Sequence, residues 1–249
     1  MKHFLLAIIL LLYGQNTLVA EEFIVGVEDL DYLPQFGYDQ HQKYGGIGIE
    51  LLRQFAQSEP DIEFKFAPYP INRLHHNLLI QEIDFKYPDS IHWNINAKQA
   101  HSLIYSGNLA PYTDGLLVLP KNHGKTYKNV FTVGLPLGFT PVALLKNTTE
   151  IKFETTNKLK INDLINLALL KRVDGIYINI DVGLYRLQQM NKSGSLVFDE
   201  SLPHVYDFYQ LSTIRHKNVI TKLNRFIDSH PDLLQKLQSQ YKTQVNPSN

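Results

Sequence analysis

Two carboxylates bracket a short apolar run in "KRVDGIYINIDVGLY", Lys171 to Tyr185: Asp174 and Asp181, with Asn179 close to the second. Acids in such a pattern serve as a catalytic pair, as metal ligands, as part of a ligand grip, or only as the polar ends of a buried strand. Strand alternation sorts these uses. Ile176, Ile178 and Ile180 take one face, and Tyr177, Asn179 and Asp181 the other. Asp174 then belongs to the opposite end, in a loop-facing structural position, and the two acids are too far apart to share a proton. At the carboxyl end of a parallel strand, Asn179 and Asp181 face the crevice where open α/β sheets bind ligands. The competing use of Asp181 is to cap a helix starting at Val182.

Other residues of the same kind are scattered along the chain. Arg73, in "YPINRLHH", begins a helix and either reaches a cleft to hold a carboxylate or lies exposed. "LGFTP", Leu137 to Pro141, offers backbone N–H groups and the Thr140 hydroxyl at a helix N-terminus, where an anion is favoured, although every capped helix shares this feature. His75 and His76 are adjacent, which suits neither a helical two-histidine metal site nor a shared face, so they read as surface or packing residues. Trp93, the only tryptophan, packs under a cleft or lines it. Glu28, Asp29 and Asp31 form an acidic loop of the kind that is usually solvated. No phosphate loop, His-Glu-x-x-His or Gly-x-Ser-x-Gly pattern occurs, so no catalytic residue, metal or cofactor is assigned.

Composition narrows the classes further. Of 249 residues, 44% are apolar, enough for one or two domains with real cores. Formal charge is zero, which gives no reason to expect nucleic acid or an anionic membrane as a partner. Residues 1–20 have the layout of a secretory signal peptide: Lys2 and His3, an apolar stretch from Phe4 to Tyr13 too short to span a bilayer, then "LVA" before Glu21. Cysteine is absent, which excludes disulfides, thiol chemistry and a lipid anchor at the junction. Export without disulfide or anchor fits a Gram-negative periplasm.

The elements that must position these residues alternate. "FIVGV" (Phe23 to Val27) reads as a strand. A helix follows, with Ile47, Leu51, Leu52 and Phe55 on one face. "IEFKFAP" is a strand, "PINRLHHNLLIQ" a helix opened by Pro70, and "IDFKYP" another strand. After the strand "DGLLVLP", a second set begins with "VFTVGLPLGFTPVALL", where Thr140 is placed as N-cap and Pro141 as first helical residue. "INDLINLALLKR" is a helix capped by Asn162, followed by the strand and helix of the opening stretch, then "SLVFDES" and "DFYQLSTI" as strands. Two helices, broken before Pro231, end the chain. This order predicts two α/β units with mainly parallel sheets, the last strand and helices returning to the first unit. The units are 21–115 with 207–249, and 116–206, hinged around Gly115–Val118 and Tyr206–Leu211, with ligand between them.

Three passages carry a family resemblance: "FIVGVEDLDYLPQFGYD…YGGIGIELLRQFAQ", "IYSGNLAPYTDGLLVLP" and "LLKRVDGIYINIDVGLYRL". In order and spacing they resemble the opening strand and helix, the Ser-x-Pro-Tyr passage and the Val-Asp strand of the bacterial extracellular solute-binding proteins of family three. The resemblance covers nearly all the chain after residue 20. It implies a type-2 periplasmic binding fold, two α/β lobes with a hinge of two crossing strands. It also implies a monomeric, non-enzymatic protein that captures a small polar, amino-acid-like solute for an inner-membrane ABC importer or a sensor. By the same resemblance Tyr32 and Phe36, after the first strand, stack on ligand or staple their loop to the core, and Ser106 and the Thr140 loop line the cleft. Two departures are visible. The arginine that clamps an α-carboxylate in this family is missing from "NINAKQAHSLIYS", which carries Lys98 and Gln99 instead. The aspartate that holds the α-ammonium is replaced by Asn179, with Asp181 two positions on. The rival expectations are an enzyme on the same scaffold, of hydrolase or dehydratase type, and an accessory protein whose ligand site has decayed.

Overall fold

The structure, a computed structural model, describes residues 19–39, 41–125, 130–146, 152–158 and 160–245. The expected signal segment falls almost wholly outside the described residues. Strand β1 (Glu21–Glu28) leads through a small hairpin, β2 (Gly37–Tyr38) and β3 (Tyr44–Gly45), into helix α1 (Ile47–Ser58) and strand β4 (Ile62–Tyr69). Helix α2 (Ile71–Leu79), strand β5 (Phe85–Asp89), a single turn α3 (Ile95–Lys98) and β6 (Ile104–Tyr105) precede the long strand β7 (Ala110–Val118). The second set is β8 (Val130–Pro136), α4 (Val142–Leu145), β9 (Lys152–Lys158), α5 (Ile161–Leu169), β10 (Gly175–Asn179), α6 (Ile180–Gln189) and β11 (Val197–Phe198). Strand β12 (Val205–Thr213) returns to the first set, and α7 (Lys217–Ser229) and α8 (Leu233–Val245) follow it.

The main sheet runs β4-β1-β5-β12-β7-β10-β8-β9. On one side β1 pairs in parallel with β4 and β5, and on the other β8 pairs in parallel with β9 and β10. Between them β7 and β12 lie antiparallel, so the chain crosses from one lobe to the other and back. The paired segment is Ala110–Asp114 against Val205–Tyr209, after which β7 joins β10 and β12 joins β5 and β6. Strand β7 begins four residues before the "DGLLVLP" run, because Pro111 is tolerated near a strand start where no ladder donor is needed.

Hydrophobic spacing accounts for the helices. Helix α1 buries Ile47, Leu51, Leu52 and Phe55, and α7 buries Val219, Ile220, Leu223 and Phe226. Each such side chain removed from water contributes about 1.5–3 kcal/mol. Among the described residues no helix is long and apolar enough to cross a membrane.

Helix starts differ from the cap residues expected from sequence. Pro141 takes the N-cap position of α4, which leaves Thr140 one residue outside, and Lys160 takes that of α5, which puts Asn162 inside the first turn. Helix α6 starts at Ile180, not Val182, because the Asn179 side chain accepts from the backbone N–H of Val182. That cap ends the strand alternation at Asn179 and carries Asp181 onto the helix surface.

Candidate functional site

The first wall of the interlobe cleft is built where β1 and β5 end. Strand β5 is buried along its whole length although it contains a lysine and an aspartate. The Lys86 ammonium donates to the Pro88 carbonyl at 2.5 Å and to Asp89 Oδ1 at 3.0 Å. Lys98 Nζ, from α3, donates to the same oxygen at 2.6 Å and to the Ser90 carbonyl at 2.9 Å. Asp89 Oδ2 accepts from Ser212 Oγ of β12 at 2.6 Å. Buried charges are tolerated only when paired and hydrogen-bonded in this way. Burial acts to raise the Asp89 carboxyl, but the ammonium groups of Lys86 and Lys98 outweigh it and hold it at about 2. Lys98, at the position where the resemblance expects a carboxylate clamp, is thus spent on an internal carboxylate.

In front of this cluster stand Glu28, the last residue of β1, and His75 of α2. They are 3% and 8% exposed, and neither side chain has a hydrogen-bond partner among the described residues. Both line a cavity shared with Ile71, Trp93, Gly138, Phe139 and Thr140. Burial pushes the Glu28 carboxyl up to about 7, against the pull of Lys86 and with help from Asp89. Burial pushes the His75 imidazole down to about 3, reinforced mainly by Lys86, so it is neutral at ordinary pH.

The second wall is the loop between β8 and α4. Gly138 has φ +87°, and a Cβ there would lie 3.1 Å from Ile71 Cβ, so glycine is what lets this loop close on the start of α2. The lobes meet so tightly that the cavity between them measures about 10 Å³, room for roughly one water molecule.

Aromatic side chains occupy the rest of the cleft. Tyr32 is fully buried, stacked on Phe36 with ring centroids 5.0 Å apart, and 6.2 Å from Phe139 of the second wall. Its hydroxyl accepts from the Asn179 N–H at 2.9 Å. Asn179 Nδ2 donates to the Tyr209 hydroxyl at 3.3 Å, and Tyr209 stacks on Tyr112 at 4.4 Å, joining both crossing strands to this layer. Asp114 is buried in the same layer with Oδ1 unpartnered, and burial, aided by Glu28 and Asp207, raises its carboxyl well above the usual carboxylate range. Arg186 of α6 reaches across to form an ion pair with Asp31 and donates to the Asp31 carbonyl at 3.0 Å.

The residues read from sequence therefore separate. Thr140 lines the cavity, as a wall residue and not as a helix cap. Tyr32 and Phe36 fill the cleft in place of lining it. Asn179 is wholly buried, with its side chain committed to the α6 cap and Tyr209. Asp181 is exposed and belongs to a different groove of about 430 Å³, with Pro34, Leu184, Tyr185 and Tyr241. Arg73 is exposed, its guanidinium 5.9 Å from the Tyr69 ring. Ser106 Oγ donates to the Gly107 carbonyl and accepts from the Leu211 N–H, a bond that ties the loop to β12. Asp174 Oδ2 accepts from the N–H and hydroxyl of Thr132, the structural position expected of it.

The sequence reads Glu28 as part of a solvated acidic loop and His75 as a surface or packing residue, whereas both are buried against the cavity. The signal for His75 was there: with Ile71, Leu74 and Leu78 it completes an i, i+3, i+4, i+7 stripe. Glu28 carried one too, since it ends a parallel strand at the edge where ligands gather.

No protein-family model matches the chain, and no curated protein matches it in sequence. Solved structures match its fold. An ABC uptake transporter substrate-binding protein from Streptococcus pneumoniae, with bound histidine, superposes with a TM-score of 0.69 at 18% identity, over 88% of this chain and 92% of that one. A mutant of ArgBP from T. maritima gives 0.68 at 14% identity, over 89% and 95%. An ancestral amino acid-binding protein, a precursor of cyclohexadienyl dehydratase, gives 0.67 at 17% identity, over 88% and 95%. The chain has the type-2 periplasmic binding protein fold.

Proposed function

We propose that the protein captures a small polar solute between its lobes in the periplasm and presents it to an inner-membrane ABC permease or a sensor, as a monomeric binder and not an enzyme. The lobes are residues 21–115 with 207–249, and 116–206, rotating about the paired segments of β7 and β12. The observation that carries this reading is the pair of buried, unpartnered polar side chains, Glu28 and His75, facing a cavity that the opposite lobe closes. Differential affinity for the closed state is what would shift the population on binding. The fold neighbours that bind amino acids support an amino-acid-like solute. The commitments of Lys98 and Asn179 argue for a different grip on it.

Native mass spectrometry of gently purified mature protein should reveal a retained small molecule. X-ray scattering across a broad solute panel should show lobe closure with at least one compound. If nothing is retained, and no solute changes either scattering or thermal stability, the capture reading fails. A second reading has an observation in its favour, namely that Tyr32, Phe36 and Phe139 fill the cleft: an accessory protein whose site has closed on its own aromatic residues. It requires lobes that stay shut in solution and ignore the whole panel. Turnover of a retained compound, abolished in Glu28→Gln, would instead make the protein an enzyme.

A further inference from the structure

A groove far larger than the cleft cavity holds Asp181: about 430 Å³, against about 10 Å³ for the space behind Glu28 and His75. One wall is helix α6, where Asp181, Leu184, Tyr185 and Gln188 follow at i, i+3, i+4 and i+7 and so share a face. The other wall comes from the first lobe: Gln238 and Tyr241 of α8, about one helical turn apart, and Ile47 at the start of α1. The Tyr241 hydroxyl accepts from the Gly46 N–H at 2.8 Å, which fixes its ring against the start of α1. Beside the groove, Arg186 of α6 is paired with Asp31 across the lobes. That pair holds the walls at this spacing and leaves the Arg186 charge already matched.

Size and lining select the occupant. The volume falls within the range of roughly 300–1,000 Å³ usual for small-molecule sites, and the lining is of the same kind, apolar and aromatic with a few polar groups. Leu184 is 43% exposed, an apolar side chain that an occupant would cover. Among the described residues that line the groove, Asp181 is the one charged side chain, and it has no ion pair or hydrogen bond to another described residue. We infer that the groove is a second small-molecule site, which takes an organic monocation with its ammonium group on Asp181 and an aryl or alkyl body against Leu184, Tyr185 and Tyr241. An anion of the same shape meets the Asp181 charge with no basic side chain in the groove to offset it. Because the walls belong to opposite lobes, an occupant that touches both favours the arrangement in which they face each other. The site does not depend on what the cleft captures.

The test titrates 3-phenylpropylammonium, 3-phenylpropanol and 3-phenylpropanoate, probes with one body and three charges, into the mature protein by calorimetry. The ammonium should bind about two- to fivefold more tightly than the alcohol, the increment of an exposed ion pair, and at least about tenfold more tightly than the carboxylate. Asp181→Asn should bring the ammonium down to the affinity of the alcohol, and Asp181→Lys should reverse the order of ammonium and carboxylate. On the opposite wall, Gln238→Lys should weaken the ammonium at least about twofold, and Gln238→Glu should strengthen it. The ranking in the unmodified protein is decisive by itself if a variant folds poorly. Absence of ammonium binding at millimolar concentration overturns the inference, and so does equal or tighter binding of the carboxylate, or an ammonium affinity untouched by Asp181→Asn. If the Asp181 variants respond and the Gln238 variants do not, the site belongs to α6 alone and the lobe-spanning inference fails. If the ammonium ranks as expected while no solute closes the cleft, capture fails and the groove site stands.

Discussion

Glu28 and His75 face one cavity, yet burial moves them in opposite senses, because it disfavours the anion of one and the cation of the other. Glu28 is raised from 4.5 to about 7, so its contribution is full below 4.5 and is lost as pH rises through about 7. His75 is lowered from 6.5 to about 3, so its contribution is full above 6.5 and is lost as pH falls toward 3. Asp89, held at about 2, adds a loss only at still lower pH. Thermal stability should therefore peak in mild acid and decline on the neutral side. Glu28→Gln should remove the decline, with a gain on the order of 1–3 kcal/mol at pH values above about 7. A melting profile against pH that is parallel for the two proteins would contradict the buried-carboxyl account.

At the scale of elements, the junction of β10 and α6 is where an apolar strand becomes a helix within one residue. Asn179 makes that possible by capping α6 through Val182 N–H, while its own N–H goes to Tyr32 and its amide to Tyr209. A capping asparagine and an aspartate in the ligand-binding role are different devices, and a buried aspartate here would bring a charge into an aromatic layer. Asn179→Ala should cost about 1–2 kcal/mol in denaturant unfolding, from the lost cap and the unpaired Tyr209 hydroxyl. Asn179→Asp should cost at least as much, and it should not create amino-acid binding. Tight binding of an amino acid by the aspartate variant would show that the side chain does face the ligand.

The whole molecule is a two-lobed body joined by β7 and β12, and its state depends on how closely the lobes approach. Gly138 is one point of close approach, with a left-handed φ and the Ile71 and Asn72 side chains of α2 against it. Gly138→Ala should cost about 1–2 kcal/mol in the closed form through the φ penalty. Most of that loss should appear as separation of the lobes and not as unfolding, because the contact lies between lobes and outside either core. Scattering should then give a larger radius of gyration at an unchanged unfolding midpoint for the individual lobes. An unchanged radius with a lower midpoint would mean that the loop is part of one lobe's core.

Periodicity along the chain determined the order of elements and the mainly parallel pairing, while the return of the last strand was expected because the terminal helices need a sheet to cover. Order and pairing follow from local spacing: Ile47, Leu51, Leu52 and Phe55 can share a face only in a helix, and "FIVGV" only suits a covered strand. Thr140 and Asn162, expected as caps, do not cap their helices, and Asp181, weighed between ligand and cap, sits on the exposed surface of α6, because several polar residues compete for each helix start and the backbone path chooses between them. The site depended on tertiary structure altogether. Whether Tyr32 stacks on a ligand or fills its place is decided by the 147 residues of chain that separate it from Asn179. The partner of Lys98 is Asp89, from another element. Burial, which turns Glu28 from a solvated acid into a proton-linked one, has no trace in residue type. Residue type and spacing carry local geometry; the desolvation and pairing that set charge exist only once distant segments have met.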